Sequence, residues 1–145
     1  MKEVLILVGF PGSGKTTYCF DRAELGNHVR ISQDDLGSKD KCVEKLSTAL
    51  KEGKSVVVDR CNHDVKQRKL WIDLANYYGA VPRCVHLVVD PEVCFDRIYL
   101  RKGHPTITED LDANKKRSII AGFVRAFEQP TLEEGFSEVT YKRNV

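Results

Sequence analysis

Residues 4–17, VLILVGFPGSGKTT, decide the fold of this chain. The apolar run Val4-Leu5-Ile6-Leu7-Val8 leads directly into Gly9-x4-Gly14-Lys15-Thr16, the spacing of a phosphate-binding P-loop. A buried strand delivers the loop. Glycines then let successive backbone N–H groups curl inward around an anion, in dihedrals that a Cβ forbids. A helix expected from Lys15 adds its N-terminal partial positive charge at the same point. In that frame Gly9, Pro11, Gly12, Ser13, Gly14 and Thr17 shape the cradle. Lys15 reaches the outer phosphates and the Thr16 hydroxyl is a ligand for Mg²⁺. A glycine turn that merely joins strand to helix is the competing reading. The strand before the loop and the amphipathic run after it (Tyr18, Phe20, Ala23, Leu25) argue against that reading.

Outward from the loop, apolar runs alternate with segments of helical period. Strands are expected at 3–8, His28–Ile31, Ser55–Asp59, Cys84–Val89 and, weakly, Val139–Tyr141. Helices are expected at about 15–25, 38–52, 64–78, Pro91–Arg101 and 109–127, with Gly53 and Gly79 as stops and a polar loop at 102–108. Such alternation implies an α/β fold, a parallel sheet of four to five strands with helices on both faces. The length, 145 residues, suits a single domain. Trp71 is expected to be a packing residue and His86, on an apolar strand, a satisfied core histidine.

Composition narrows the class. The formal net charge of +2 excludes a strongly basic nucleic-acid coat but leaves room for a local basic groove. No stretch approaches the ~20 apolar residues of a membrane span. Met1-Lys2-Glu3 runs straight into the strand that carries the loop, so a cleaved leader is not expected. The five cysteines (Cys19, Cys42, Cys61, Cys84, Cys94) are odd in number and never at C-x-x-C spacing. They speak for a reducing, intracellular compartment, cytoplasmic or nuclear, rather than for disulfides or structural zinc.

In parallel α/β sheets ligands gather beyond the carboxyl ends of the strands. After the second strand comes Ser32-Gln33-Asp34-Asp35. These carboxylates are placed either to take a proton from an attacking hydroxyl or to cap the next helix. After the third comes Asp59-Arg60-Cys61-Asn62, whose Asp59 is either a metal-side acid or a strand stop. Arg97 and Arg101 share a helix face at i, i+4, as phosphate clamps on a lid or as a solvated basic helix end.

Taken together, these segments resemble the 5′-hydroxyl polynucleotide kinases, the bacteriophage enzyme and the kinase domain of the eukaryotic polynucleotide kinase/phosphatases. The resemblance spans about residues 3–140 and rests on GFPGSGKTT, on Ile31–Gly37, on Val58–Asn62 and on FEQPTLEEGF at 127–136. It implies a P-loop kinase fold with a helical lid, ATP and Mg²⁺ as cofactors, and a 5′-OH end of DNA or RNA as acceptor. It implies Asp34 as general base, with Lys15 and Arg101 acting on the transferring phosphate and Arg97 nearby on the donor. Asp35, Asp59, Arg60 and Asn62 fall on the acceptor side or orient metal waters. Gln33 stands where the family commonly has an arginine, and Arg60 and Cys61 replace smaller polar residues. No Asp-x-Asp nucleophile segment follows a strand, so the resemblance is to the kinase portion alone. A small-molecule or nucleotide kinase, and a nucleotide-gated switch without an alcohol acceptor, are the rival readings.

Overall fold

The computed structural model describes residues 2–100 and 113–143. Strands β1 (Glu3–Val8), β2 (Val29–Ile31), β3 (Val56–Val58), β4 (Val81–Val88) and β5 (Glu138–Arg143) form one sheet in the order β2-β3-β1-β4-β5. Every pairing is parallel. The P-loop strand β1 is thus central, with all strand carboxyl ends on one edge. Helices are α1 (Lys15–Asp21), α2 (Gln33–Leu36), α3 (Lys39–Lys51), α4 (Val65–Tyr77), α5 (Pro91–Leu100) and α6 (Ala113–Ala126).

The period of two along β1 divides the core. Val4, Ile6 and Val8 face α3 and α4 residues such as Leu46, Leu50, Trp71 and Ile72. Leu5 and Leu7 face Tyr18, Cys19 and Leu25 on the other side. All five β1 residues from Val4 to Val8 are fully buried, as a doubly covered parallel strand requires. A third cluster, Cys94, Phe95, Ile98 and Ile120, joins α5 to α6.

Two differences from the sequence expectation bear on the site. The segment after β2, to which the sequence pattern assigned no element, is a one-turn helix, since Leu36 N and Gly37 N donate to the carbonyls of Ser32 and Gln33. Strand β4 starts three residues earlier than its apolar run, at Val81. Pro82 lies inside it and offers only a carbonyl, which accepts from both the Ser137 backbone N and its hydroxyl. Four cysteines, Cys19, Cys42, Cys84 and Cys94, are buried core residues, and Cys61 is half-buried. Burial pushes the Cys19 and Cys84 thiols up to about 12, so they are inert. Among the described residues no helix is long and apolar enough to cross a membrane.

Candidate active site

Gly14 takes a left-handed dihedral (φ 94°) as the N-cap of α1, which turns the loop into the helix. Gly12 (φ 83°) is pressed on α5: a Cβ there would lie 2.6 Å from the Cys94 carbonyl oxygen. That close approach brings α5 against the loop, and Arg97 Nη1 donates to the Gly12 carbonyl at 3.2 Å. Arg97 therefore rests against the P-loop backbone. Arg101 lies outside the described residues.

Lys15 is buried. Its ammonium folds over the loop, donating to the carbonyls of Gly9 at 3.0 Å and Phe10 at 2.9 Å. Three oxygen acceptors, with Ser13 Oγ at 3.4 Å, hold the charge where the backbone cradle faces. Ser13 is itself fully buried, and its hydroxyl stays inside the loop.

Thr16 Oγ1 donates to Asp59 Oδ2 at 2.9 Å. Asp59 directly follows β3 and is only 7% exposed. A hydroxyl and a carboxylate, both hard oxygen donors, suit Mg²⁺, which takes few protein ligands and fills its octahedron with phosphate oxygens and water. The donor chemistry of Thr16 and Asp59 thus fits the metal, and these two residues would hold it.

A cleft of about 750 Å³ opens beside the loop. The P-loop and the start of α1 line it with Pro11, Gly12, Gly14, Lys15, Thr16 and Thr17. Segments after β2 and β3 and residues of α4 and α6 add Gln33, Asp34, Arg60, His63, Gln67, Ile119 and Phe123. Asp34 and Lys15 therefore face one space, although they come from different strand ends. Asp35, one residue on, points to Arg30, whose Nη1 donates to Asp35 Oδ2. Within the single turn of α2 the two adjacent carboxylates part, Asp34 lining the cleft and Asp35 pairing with Arg30, and the N-cap positions of α2 and α3 are held by Ser32 and Ser38.

Of the cleft lining, His63, Gln67, Ile119 and Phe123 were passed over by motif reading, whereas Arg60 was expected on the acceptor side. His63 meets the Phe123 ring edge-on at 4.8 Å between centroids. Burial lowers the His63 pKa below its ordinary value, aided by Arg68 and Arg60 and opposed by Asp64. Arg60 lies 5.5 Å from the Trp71 ring centroid. Gln33 Oε1 is buried with no hydrogen-bond partner among the described residues.

Asn62 departs from its expected role. It is fully buried and does not line the cleft. Its amide nitrogen donates to the Leu7 carbonyl at 2.7 Å and to that of Arg60 at 3.2 Å. Its Oδ1 accepts from Trp71 Nε1 at 3.0 Å. The positive φ of 48°, which Asn tolerates better than most residues, turns the chain back at this point. Asn62 braces the loop that carries Arg60 and His63. The carbonyl of Cys61, within the same loop, accepts from Gly9 N at 3.1 Å, tying it to the P-loop.

Two arginines were missed. Arg30 bridges Asp59 and Asp35, and its signal was a lone charge between Val29 and Ile31 on a short strand. Arg68 is fully buried in α4 and forks onto Glu134 at 2.8 and 3.2 Å, with Nη1 donating to the Asn62 carbonyl at 3.0 Å. Its signal was a charge on the stripe that Trp71, Ile72 and Ala75 bury. The segment 127–136 thereby acquires a physical role, because Glu134 pins α4 and Glu128 N donates to the His63 carbonyl at 2.8 Å.

A family model described as an AAA domain matches residues 4–130. The chain is similar to the bifunctional polynucleotide phosphatase/kinase of Schizosaccharomyces pombe, 35% identical over 141 residues, which cover 95% of this chain and 33% of that protein. It is equally similar to the transcription factor bHLH140 of Arabidopsis thaliana, 35% identical over 146 residues covering 95% of this chain and 16% of the relative. The chain thus spans a third or less of the length of these curated relatives. The crystal structure of a fungal RNA kinase shares the fold with a TM-score of 0.72 at 18% identity, over 97% of this chain and 73% of that one. The resemblance read from the motifs is borne out by the first of these relatives.

Proposed function

The chain belongs to the AAA domain family, and from that premise we propose that it is a kinase moving the γ-phosphate of ATP to the 5′-hydroxyl of a DNA or RNA end. The observation that carries this reading is the shared cleft: Asp34 lines the same space as Lys15 and Thr16. A nucleotide switch needs no carboxylate opposite its phosphates, whereas an alcohol acceptor needs a proton acceptor there.

In this reading the loop amides and Lys15 hold the outer phosphates, and Arg97 steadies the loop they rest on. Asp34 accepts the proton of the acceptor hydroxyl as its oxygen bonds to the γ-phosphorus and the bond to the β-phosphate oxygen breaks, leaving ADP. Mg²⁺, held by Thr16 and Asp59, supplies charge neutralisation when bound. Arg101 is assigned to the charge that develops on the transferring group. His63 and Phe123 offer ring surface, and Arg60 a cation, on the wall where the acceptor enters; stacking and phosphate pairing are what single strands use. The name of the Schizosaccharomyces pombe relative supports this acceptor class.

The test presents radiolabelled ATP with a 5′-OH DNA, a 5′-OH RNA, a nicked duplex, a mononucleoside, a sugar and no acceptor. Label on the oligonucleotide ends is expected. Label confined to the mononucleoside or sugar would establish a small-molecule kinase, and phosphate release without any acceptor would establish a hydrolytic switch.

A further inference from the structure

One cation serves three partners at the end of β2. Arg30 Nε and Nη2 lie 2.8 and 2.7 Å from the same Asp59 oxygen, Oδ2. Nη1 donates to Asp35, and Nη2 is 3.5 Å from Thr16 Oγ1. Asp59 Oδ2 also accepts the Thr16 hydroxyl. Three donors therefore converge on one buried oxygen, and that oxygen and Thr16 Oγ1 are the pair assigned above to Mg²⁺. A metal ion needs the same lone pairs and carries the same sign of charge. A metal that takes Asp59 Oδ2 must displace the guanidinium from it.

The geometry also supplies a place for the displaced group. Asp35 is the most exposed member of the set, with its side chain 56% accessible, and Arg30 already bonds it through a different nitrogen. The planar fork of a guanidinium lets one edge release while the other stays bound. The Phe20 ring, 5.1 Å from Arg30 Cζ, lies against the same group.

We propose that Arg30 is a positioning residue that holds Asp59 against Thr16 in the place of the divalent cation and withdraws onto Asp35 when the cation binds. This rests on the reading that Thr16 and Asp59 hold the metal of the nucleotide. The exchange makes Arg30 a competitor of Mg²⁺ and makes Asp35 an accessory to Mg²⁺ binding, although Asp35 need not touch the metal. The competition raises the apparent Kd for the metal by the inverse of the fraction of molecules in which Asp59 is free of Arg30.

Calorimetric titration of ADP, once with Mg²⁺ and once with EDTA, yields a ratio of affinities that reports the metal alone. Arg30→Gln should raise that ratio by about 3- to 10-fold and lower the melting temperature in EDTA. Asp35→Asn should lower the ratio, because the displaced guanidinium loses its partner. Simple charge removal would also produce these two signs, additively. The proposal requires more: Asp35→Asn should have no effect on the ratio once Arg30 is Gln. If Arg30→Gln does not fold, Arg30→Lys replaces it, since a single ammonium cannot span both carboxylates and must also shrink the Asp35 effect. An unchanged or lower ratio in Arg30→Gln, or an Asp35 effect undiminished in the double variant, overturns the exchange. A wild-type ratio of about one would overturn the metal assignment itself and the exchange with it; a wild-type ratio above one with unresponsive variants would sink the exchange alone.

Discussion

At the scale of residues, two adjacent carboxylates are given different work by one turn of helix. Asp34 lines the cleft with Lys15, and Asp35 pairs with Arg30. Asp34→Asn should lower kcat by ~10²–10⁴, the usual reach of general-base help, while ATP affinity stays close to wild type. Asp35→Asn should cost far less in kcat. Single-turnover phosphorylation of a 5′-OH oligonucleotide decides the matter, and losses in the reverse order would move the base by one residue. Lys15 offers a related correction. Because its ammonium is buried on the loop carbonyls, its removal disturbs the loop as well as the phosphates.

Among elements, the informative contact is the fork of Arg68 in α4 on Glu134. Neither group is accessible, at 0% and 7% of their side-chain surface. Removing one partner of a buried pair leaves a charge without compensation, which costs about 3–5 kcal/mol. Glu134→Ala should therefore lower unfolding stability by that amount in a urea titration. Replacing both by Met should recover most of the loss, since packed apolar side chains often equal a buried pair. Arg68 also holds the Asn62 carbonyl, so in the double variant KM for the acceptor should rise more than KM for ATP. Equal rises would mean that the loop at 59–63 does not depend on this brace.

The whole molecule carries a pH dependence in His86. The ring is buried between Phe127 and Tyr141, at 5.2 and 5.7 Å between centroids, and its Nδ1 has no hydrogen-bond partner among the described residues. It is a core histidine, as expected, but not a satisfied one. Burial, with Arg68 and Arg143 nearby, lowers its pKa from 6.5 to about 4. The unfolded chain then binds a proton that the folded chain refuses between those values, so stability rises with pH there. The contribution is fully present above pH 6.5 and lost as the pH falls toward 4. It amounts to on the order of 3 kcal/mol. In denaturation measured across this range, wild type should lose stability relative to His86→Leu as the pH falls. A constant difference would show that His86 does not set the slope.

The five parallel strands, the loop and the order of helices were legible because they rest on local pattern. Apolar runs of β-branched residues can only be doubly covered strands, and glycine spacing announces a backbone that must fold inward. The roles proposed for Lys15 and Thr16 follow from chemistry that travels with the P-loop, whereas that of Asp34 came only with the family resemblance, since an acid after a strand suits a cap as well as a base. The partners of Arg30 and Arg68 were not legible, since a charge in an apolar pattern announces that it needs a counter-charge but not which one. Asp59 stands 29 residues from Arg30, and Glu134 66 from Arg68, in separations that no local period spans. Asn62 was misplaced for the same reason. Its residue type suits a ligand as well as a brace, and only the packing of Trp71, Leu7 and Arg68 around it decides between them. Sequence determined which groups this protein brings to its sheet edge; tertiary structure decided which of them face the cleft and which are spent on holding it, because burial and pairing are properties of the assembled chain.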